Sequence, residues 1–503
     1  MGSNWKTTTL ADISERIGDG LHGTPKYSDD GEYYFVNGNN LESGAIVYKD
    51  STKRVGLEEY NKHKKELGSS TLLVSINGTI GNVALYNGEE VVLGKSACYI
   101  NLKKGIGKEF VKYILSGYLF QEYIQRCSTG STIKNVSLKM MRDFAFRIPD
   151  TEIEQDKAVE LLKLLDHKIS LNNQTNQTLE QMAQALFKSW FVDFDPVFDN
   201  LLASADFKLE NLETSLPDEL IQKAQRRLAA LDSLENAAEI KTSLSALAHE
   251  LQAQRPKKEA TQAAVQILGK TAETPVKANV SANPKILAQH ANTHFPNEFE
   301  HNEQLGWIPK GWESKTIDEL CKINPESWTK KNAPEVVKYV DLANAKNGSV
   351  GEAIEYSFSE APSRARRILR PHDTIIGVVR PANRSFAYVN EDNLTGSTGF
   401  AVVRANNQNC RAFAYFSLTN DDCIQEFTRI ADGAAYPAIK PEDVAKTYCV
   451  YSNNKILDAF ESIAGNIMSG VARNQTQTKT LTKLRDTLLP KLIAGEITIN
   501  KDI

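Results

Sequence analysis

Side chains able to reach phosphates and base edges gather in three short stretches of this sequence. Ser75-Ile76-Asn77-Gly78-Thr79 and Ser128-Thr129-Gly130-Ser131-Thr132-Ile133-Lys134-Asn135 combine hydroxyl, amide and amine groups. Arg380-Pro381-Ala382-Asn383-Arg384-Ser385 combines two guanidinium groups with an amide. Hydroxyls and amines position a nucleic-acid backbone, whereas Arg grips guanine and Asn grips adenine through paired hydrogen bonds. The candidates for DNA contact are therefore Ser75, Asn77, Thr79, Ser131, Thr132, Lys134, Asn135, Arg380, Asn383, Arg384, Tyr436 and Lys440. Each stretch also has a plainer reading. Asn77-Gly78 is a hairpin turn dipeptide, and the Ser/Thr-rich loop serves equally as the exit from a helix. The basic groups at Lys62, Lys64, Lys65 and at Arg364, Arg366, Arg367, Arg370 read as solvated faces as readily as contacts.

Groups that make or break bonds are missing. Gly18-Asp19-Gly20-Leu21-His22-Gly23 matches GxGxxG, but Thr24-Pro25 follows where a phosphate cradle needs a helix N-terminus. These glycines are expected to shape a loop. There is no GxxxxGK[ST] and no Asn-Pro-Pro-aromatic tetrapeptide to hold a target amine. The eight His and six Cys form no HExxH, CxxC or mixed ligand cluster. Pairs such as Glu58-Glu59, Glu89-Glu90 and Asp421-Asp422 read as solvated surface. The expectation is no catalytic residue, no metal and no cofactor in this chain: a binding and scaffolding component.

Two long amphipathic helices are the elements that must position these loops. Leu179, Met182, Leu186, Phe187 and Trp190 recur at the spacing of one helix face, and Leu481, Leu484, Leu488, Leu489 and Leu492 repeat it. The register is constant: 481−179, 484−182, 488−186, 489−187 and 492−190 all equal 302. Such a register indicates an internal duplication. Helices are expected over Ile153–Phe191 and Ile456–Ile493, packed on each other in antiparallel fashion. Leu161, Leu165, Ile169, Leu179, Ile463, Ile467, Val471 and Leu481 are the expected seam. Antiparallel packing would put the two preceding modules at opposite ends, related by pseudo-two-fold symmetry.

The modules themselves read as α+β. In residues 1–150, strand-like runs at Tyr33–Val36, Thr71–Ile76, Asn82–Tyr86 and Ala97–Leu102 precede a helix at Glu109–Arg126. In residues 307–452, Asp373–Val379, Phe386–Val389, Gly399–Val403 and a helix at Ala412–Ile430 repeat that order. Residues 151–199 and 453–503 hold the long helices, and Pro196 stops any helix that reaches it. Residues 200–306 form an acidic, aromatic-poor insert. Pro217–Gln254 is expected to be helical with Leu220, Ala224, Leu228 and Leu231 on one stripe, and Arg255–Glu303 to be a linker.

Bulk properties narrow the class. A chain of 503 residues suits two or three domains. A net charge of −4 excludes a wholly basic nucleic-acid binder, so any basic surface is local or supplied by a partner. No run of 18 apolar residues and no signal-peptide core are present, which points to a cytoplasmic protein without a membrane partner.

With these features in view, the chain resembles the specificity subunit of type I restriction–modification systems. The resemblance rests on Leu179–Pro196 (LEQMAQALFKSWFVDFDP), Lys479–Glu496 (KTLTKLRDTLLPKLIAGE), Leu305–Trp312 (LGWIPKGW) and Pro149, together with the duplicated architecture. It covers nearly the whole chain except about residues 200–295. The resemblance implies two α/β target recognition domains joined by long antiparallel coiled-coil helices. Each domain would read one half of a split double-stranded DNA target. The helices would set the gap and dock two methyltransferase subunits, with restriction/motor subunits joining the complex. S-adenosylmethionine, ATP and Mg would belong to those partners. Trp190, Phe191 and Phe194 are expected either at a partner interface or capping the bundle core. The loop candidates are not transferred residue by residue, because such loops diverge within the family.

Overall fold

The computed structural model describes residues 5–42, 44–129, 134–212, 216–233, 295–433 and 436–497. The chain divides into two compact units, Met1–Asn173 with Thr476–Ile503, and Gln174–Gln475. Both long helices run unbroken from one unit into the other, Glu152–Phe191 and Asn454–Ile493, each of 40 residues.

The first unit is built on a four-stranded antiparallel sheet in the order Ser14–Asp19, Ala97–Leu102, Thr71–Ser75, Val83–Leu85. A smaller sheet holds Arg54–Val55, Tyr33–Val36 and Val91–Leu93, the last two parallel. Trp5–Thr9 pairs with Ala145–Pro149 and closes the module where the long helix begins. The second unit repeats this plan. Its four-stranded antiparallel sheet runs Cys321–Ile323, Phe400–Ala405, Thr374–Gly377, Phe386–Tyr388. Its second sheet, also of four strands, contains the parallel pair Val336–Val340 and Leu394–Ser397, flanked by an antiparallel neighbour on each side. Glu313–Thr316 pairs with Tyr448–Tyr451 as the closing ribbon. Even the local caps recur: Thr9 and Thr316 each open a one-turn helix with a capping box.

The expected helices at Glu109–Arg126 and Ala412–Ile430 are each two helices. Gly117 separates Lys108–Ser116 from Tyr118–Cys127. Asn420 separates Arg411–Thr419 from Asp421–Ile430. The Asn420 side chain accepts from the Cys423 N–H at 2.9 Å, so a new helix starts where hydrophobic periodicity suggested continuity. Gly18 lies in a strand, not a loop. A Cβ on the neighbouring Gly20 would fall 2.2 Å from the Leu93 carbonyl oxygen, so this glycine permits close backbone approach.

The first long helix ends before it reaches Pro196. That helix ends at Phe191, Phe194 takes a left-handed conformation with φ 58°, and Pro196 sits in the first turn of a new helix, Asp195–Ser204. Part of the insert then packs back: the helix Asp218–Asp232 buries Leu220, Ala224, Arg227 and Leu231, with Leu228 half-buried. The Arg227 guanidinium donates to Asp199 at 2.7 and 2.8 Å, and Asp199 is fully buried. Residues 234–294, most of the expected linker and the rest of the expected insert helix, lie outside the described residues. At its end the chain forms a hairpin, Phe299–Asn302 with Gly306–Pro309, where a linker was expected.

Within each unit the long helices run antiparallel. In the first, Asp166 meets Arg485 and the Asn172 amide donates to Gln477 at 2.8 Å. In the second, the Asn474 amide donates to Asn176 at 2.8 Å, Asn176 donates to the Val471 carbonyl, and Phe187 lies 6.0 Å from Phe460. Of the seam candidates, Leu165 and Val471 are buried, and Leu161, Ile169, Leu179, Ile463, Ile467 and Leu481 are half-buried. Fully buried helix positions include Val159, Leu162, Ala183 and Trp190 on one helix and Ile456, Leu457, Phe460 and Ala464 on the other. Leu161 is only half-buried, whereas its neighbour Leu162 is fully buried in the core of the first unit. Trp190, Phe191 and Phe194 are all buried in an aromatic cluster with Phe460, Trp312 and Phe295. They cap the core of the second unit.

Two substitutions test this packing. Asn176→Ala removes two hydrogen bonds across the helices, the one it accepts from the half-buried Asn474 and the one it donates to the Val471 carbonyl, and should cost about 1–3 kcal/mol in urea unfolding. Arg227→Met leaves Asp199 as an uncompensated buried charge and should cost about 3–5 kcal/mol at neutral pH.

Candidate nucleic-acid interface

The candidate loops are assembled by backbone hydrogen bonds before any side chain is considered. In the first unit, the segment leaving the strand Thr71–Ser75 lies beside the segment that follows the helix Tyr118–Cys127. Val136 N–H donates to the Ile76 carbonyl at 2.8 Å, and Gly78 N–H donates to the Lys134 carbonyl at 2.9 Å. Thr129 and Asn135 exchange two further bonds. In the second unit, Ile439 N–H donates to the Val378 carbonyl at 2.9 Å, and Arg380 N–H donates to the Pro437 carbonyl at 2.7 Å. Asp432 and Ala438 exchange two bonds there. The same ladder thus occurs twice, shifted by 378−76 = 302 on one side and 439−136 = 303 on the other.

The side chains mounted on the two ladders differ. In the first unit the Asn77 amide donates to Asn135 at 3.4 Å, while Thr79, Lys134 and Asn135 are exposed. The Lys134 amine is engaged by Gln125. Ser75 is buried and its hydroxyl accepts from the Asn82 N–H at 2.8 Å, so it closes the turn from inside. Ser131 and Thr132 lie outside the described residues. The structure therefore brings Asn77, Thr79, Lys134 and Asn135 together and assigns Ser75 to holding them.

In the second unit, Arg380 and Arg384 flank a one-turn helix, Pro381–Asn383, both with positive φ. Left-handed backbone at a non-glycine residue carries strain that the surrounding ladder must hold. Arg380 stacks over the Tyr436 ring at 4.6 Å, and Tyr436 is 71% exposed. Arg384 pairs with Asp421 at 2.8 Å. Asn383 is exposed and its carbonyl accepts from Lys346 at 3.3 Å. Lys440 is exposed just before the helix Pro441–Ala445, where its N–H donates to Asp443 at 2.7 Å. These five residues lie around one loop pair. Other basic candidates are committed elsewhere: Arg370 forks onto Glu326 at 2.7 and 2.8 Å, and Arg367 donates to Ser327.

Cys98, Cys321, Cys410 and Cys449 are buried free thiols, and burial pushes Cys410 to about 11 and Cys449 to about 12, far from thiolate formation at neutral pH. Among the described residues no group of three or more His, Cys, Asp or Glu could hold a metal ion, and no helix is long and apolar enough to cross a membrane.

Residues 2–181 match the family model described as the type I restriction modification DNA specificity domain. The chain is 25% identical over 405 residues to the type I restriction enzyme HindI specificity subunit of Haemophilus influenzae, covering 77% of each protein. It is 21% identical over 512 residues to the type I restriction enzyme MjaIX specificity subunit of Methanocaldococcus jannaschii, covering 99% of this chain and 94% of that one. A crystal structure of a type I restriction–modification system S subunit from M. genitalium aligns over 97% of this chain and 96% of its own, with a TM-score of 0.48 and 14% identity.

The second unit also holds a crevice of about 30 Å³ between its module and the long helices, lined by Glu180, Gln184, Gly348, Tyr388, Tyr415 and Met468 among others. Burial raises the Glu180 carboxyl from its usual 4.5 to about 7. The folded chain therefore keeps this group protonated over a range where the unfolded chain ionises it. Its contribution to stability is full below pH 4.5 and is lost as pH rises through about 7. Glu180→Gln should remove that component, so Tm of the variant should fall less than the parent's across this window.

Proposed function

We propose, on the premise that this chain is similar along its length to type I specificity subunits and carries their DNA specificity domain at residues 2–181, that it reads a two-part double-stranded DNA target and performs no catalysis itself. Residues 1–150 act as one recognition domain and residues 307–452 as the other. The observation that carries this reading is the repeated loop ladder with unlike side chains. One scaffold presents Asn77, Thr79, Lys134 and Asn135, and its counterpart presents Arg380, Asn383, Arg384, Tyr436 and Lys440. Equivalent placement with different donors and acceptors suits two half-sites of different sequence, because base edges are told apart by donor–acceptor pattern.

Division of labour follows from the chemistry. Amide and hydroxyl groups on the first loop pair favour adenine edges and phosphates, whereas the guanidinium groups on the second favour guanine. A net charge of −4 gives the chain little attraction for DNA as a whole, so the duplex is held jointly with basic partner surfaces. Two methyltransferase subunits dock on the long helices and supply S-adenosylmethionine chemistry, and restriction/motor subunits supply ATP- and Mg-dependent steps. The apolar positions left open on the first helix, Ile153, Leu164 and Leu171, support docking there.

The deciding experiment assembles the chain with its methyltransferase partner and maps methylated adenines across a genome. A motif in two parts separated by a fixed gap is expected; scattered or absent methylation overturns the reading. Replacing residues 1–150 with the module of another such subunit should change one half-site, and a change in both refutes the modular assignment. Arg380→Ala and Lys134→Ala should each lower the slope of log affinity against log salt by about 1 if the side chain meets a phosphate; Arg380 at a guanine instead costs about 1–3 kcal/mol of discrimination.

A further inference from the structure

In the first unit three elements meet on one carboxylate. Lys112 and Tyr113 come from the module's helix Lys108–Ser116, Asp166 from the first long helix, and Arg485 from the second. Asp166 accepts from the Lys112 amine at 2.9 Å and the Tyr113 hydroxyl at 2.7 Å on one oxygen, and from Arg485 at 2.9 Å on the other. Lys112 also lies 4.3 Å from the centre of the Tyr113 ring. Burial opposes the charge on Asp166, but Lys112 and the donors from Arg485 and Tyr113 outweigh it and hold the carboxyl below its usual range.

The duplication supplies an internal control. Lys112 and Tyr113 correspond to Tyr415 and Phe416, since 415−112 and 416−113 both equal 303. Asp166 corresponds to Met468 and Ala183 to Arg485, since 468−166 and 485−183 both equal 302. The neighbouring hairpin glycines agree with this match: a Cβ on Gly44 would meet the Lys112 side chain, and one on Gly348 would meet the Tyr415 hydroxyl. Tyr415, Phe416, Met468 and Ala183 all line the crevice described above. Where the first module is fastened by a three-way ionic clamp, the equivalent seat of Tyr415, Phe416, Met468 and Ala183 holds no ion pair among these residues and borders an incompletely filled crevice.

We propose that Asp166 is a positioning residue: it locks the first recognition module to both long helices at once, and so fixes the gap at which that module's half-site is read. The inference rests on the DNA-reading function proposed above. An ionic clamp is directional and ties three bodies at one point, whereas apolar contact tolerates sliding. The first module therefore holds the stricter geometry of the two.

The test uses the chain assembled with its methyltransferase subunits. Asp166→Ala removes the clamp. A second variant grafts the other seat onto this one, with Lys112→Tyr, Tyr113→Phe, Asp166→Met and Arg485→Ala together, which restores burial without the ionic geometry. The probes are duplexes carrying the two-part motif mapped for the parent, with the gap unchanged, one base pair longer, or one shorter. Preference for the unchanged gap should fall by about threefold or more in both variants, within the range by which coupled positions modulate each other. A smaller fall in the graft overturns the proposal, and loss of folding in Asp166→Ala leaves the graft to decide. If the parent writes no two-part motif, the functional reading fails separately. Amide exchange of Lys108–Ser116 in the DNA-free chain then judges the clamp: it should quicken about tenfold in the graft, and unchanged exchange refutes it.

Discussion

Neither long helix can bury its apolar stripe alone, and that constraint organises the molecule. A 40-residue amphipathic helix in water needs a partner surface, and in each unit the helix finds it on the module core and on the opposite helix. Because the helices run antiparallel within each unit, each module is completed by residues from the far end of the chain. Leu492 and Ile493 join the core of the first unit with Val159 and Leu162. Trp5 lies against Gly495, where a Cβ would come within 2.7 Å of the indole. The first unit is thus closed by residues 492–495.

The seam is not uniformly apolar. Asn172 and Asn176 are buried between the helices, each satisfied by amides or carbonyls of the opposite helix. Buried amides in a helix seam fix register, because sliding by one turn would leave them unpaired in a dry environment. They add little net stability and much specificity. The same logic applies to Arg227 and Asp199, which attach the helix after residue 217 to Asp195–Ser204. The desolvation cost of two buried charges is met only by the forked geometry they share.

The duplicated chassis and the unlike loops follow from different pressures. Backbone hydrogen bonds that join the loops use no side-chain identity, so the ladder survives in both units at offsets of 302 and 303. The side chains on it touch solvent and are free to differ. Asn77 faces Asn135 in one unit, and Arg380 stacks on Tyr436 in the other. Ser75 shows how a polar residue in a promising stretch can serve the turn itself: it is buried, and its hydroxyl accepts from the Asn82 N–H.

Much of this was legible in the sequence. Hydrophobic period identified both long helices within two residues of their starts, because amphipathicity is a local, repeated signal. The constant offset pointed to the duplication, and the hydroxyl, amide and basic side chains of the loops pointed to residues that the fold gathers at Asn77, Lys134 and Asn135, and at Arg380, Asn383 and Tyr436. What the sequence could not carry were the decisions made between distant segments. Periodicity ran through Gly117 and Asn420, where caps begin new helices. Leu161 was the expected buried position, yet its neighbour Leu162 is the one that joins the core of the first unit. Asp166 looked like any solvated helix carboxylate until Lys112, Tyr113 and Arg485 converged on it from 50 to more than 300 residues away. Local chemistry wrote the elements and the repeat. Tertiary structure decided which polar groups are spent on holding the fold and which remain free to meet a ligand, because burial and pairing depend on what the rest of the chain brings alongside.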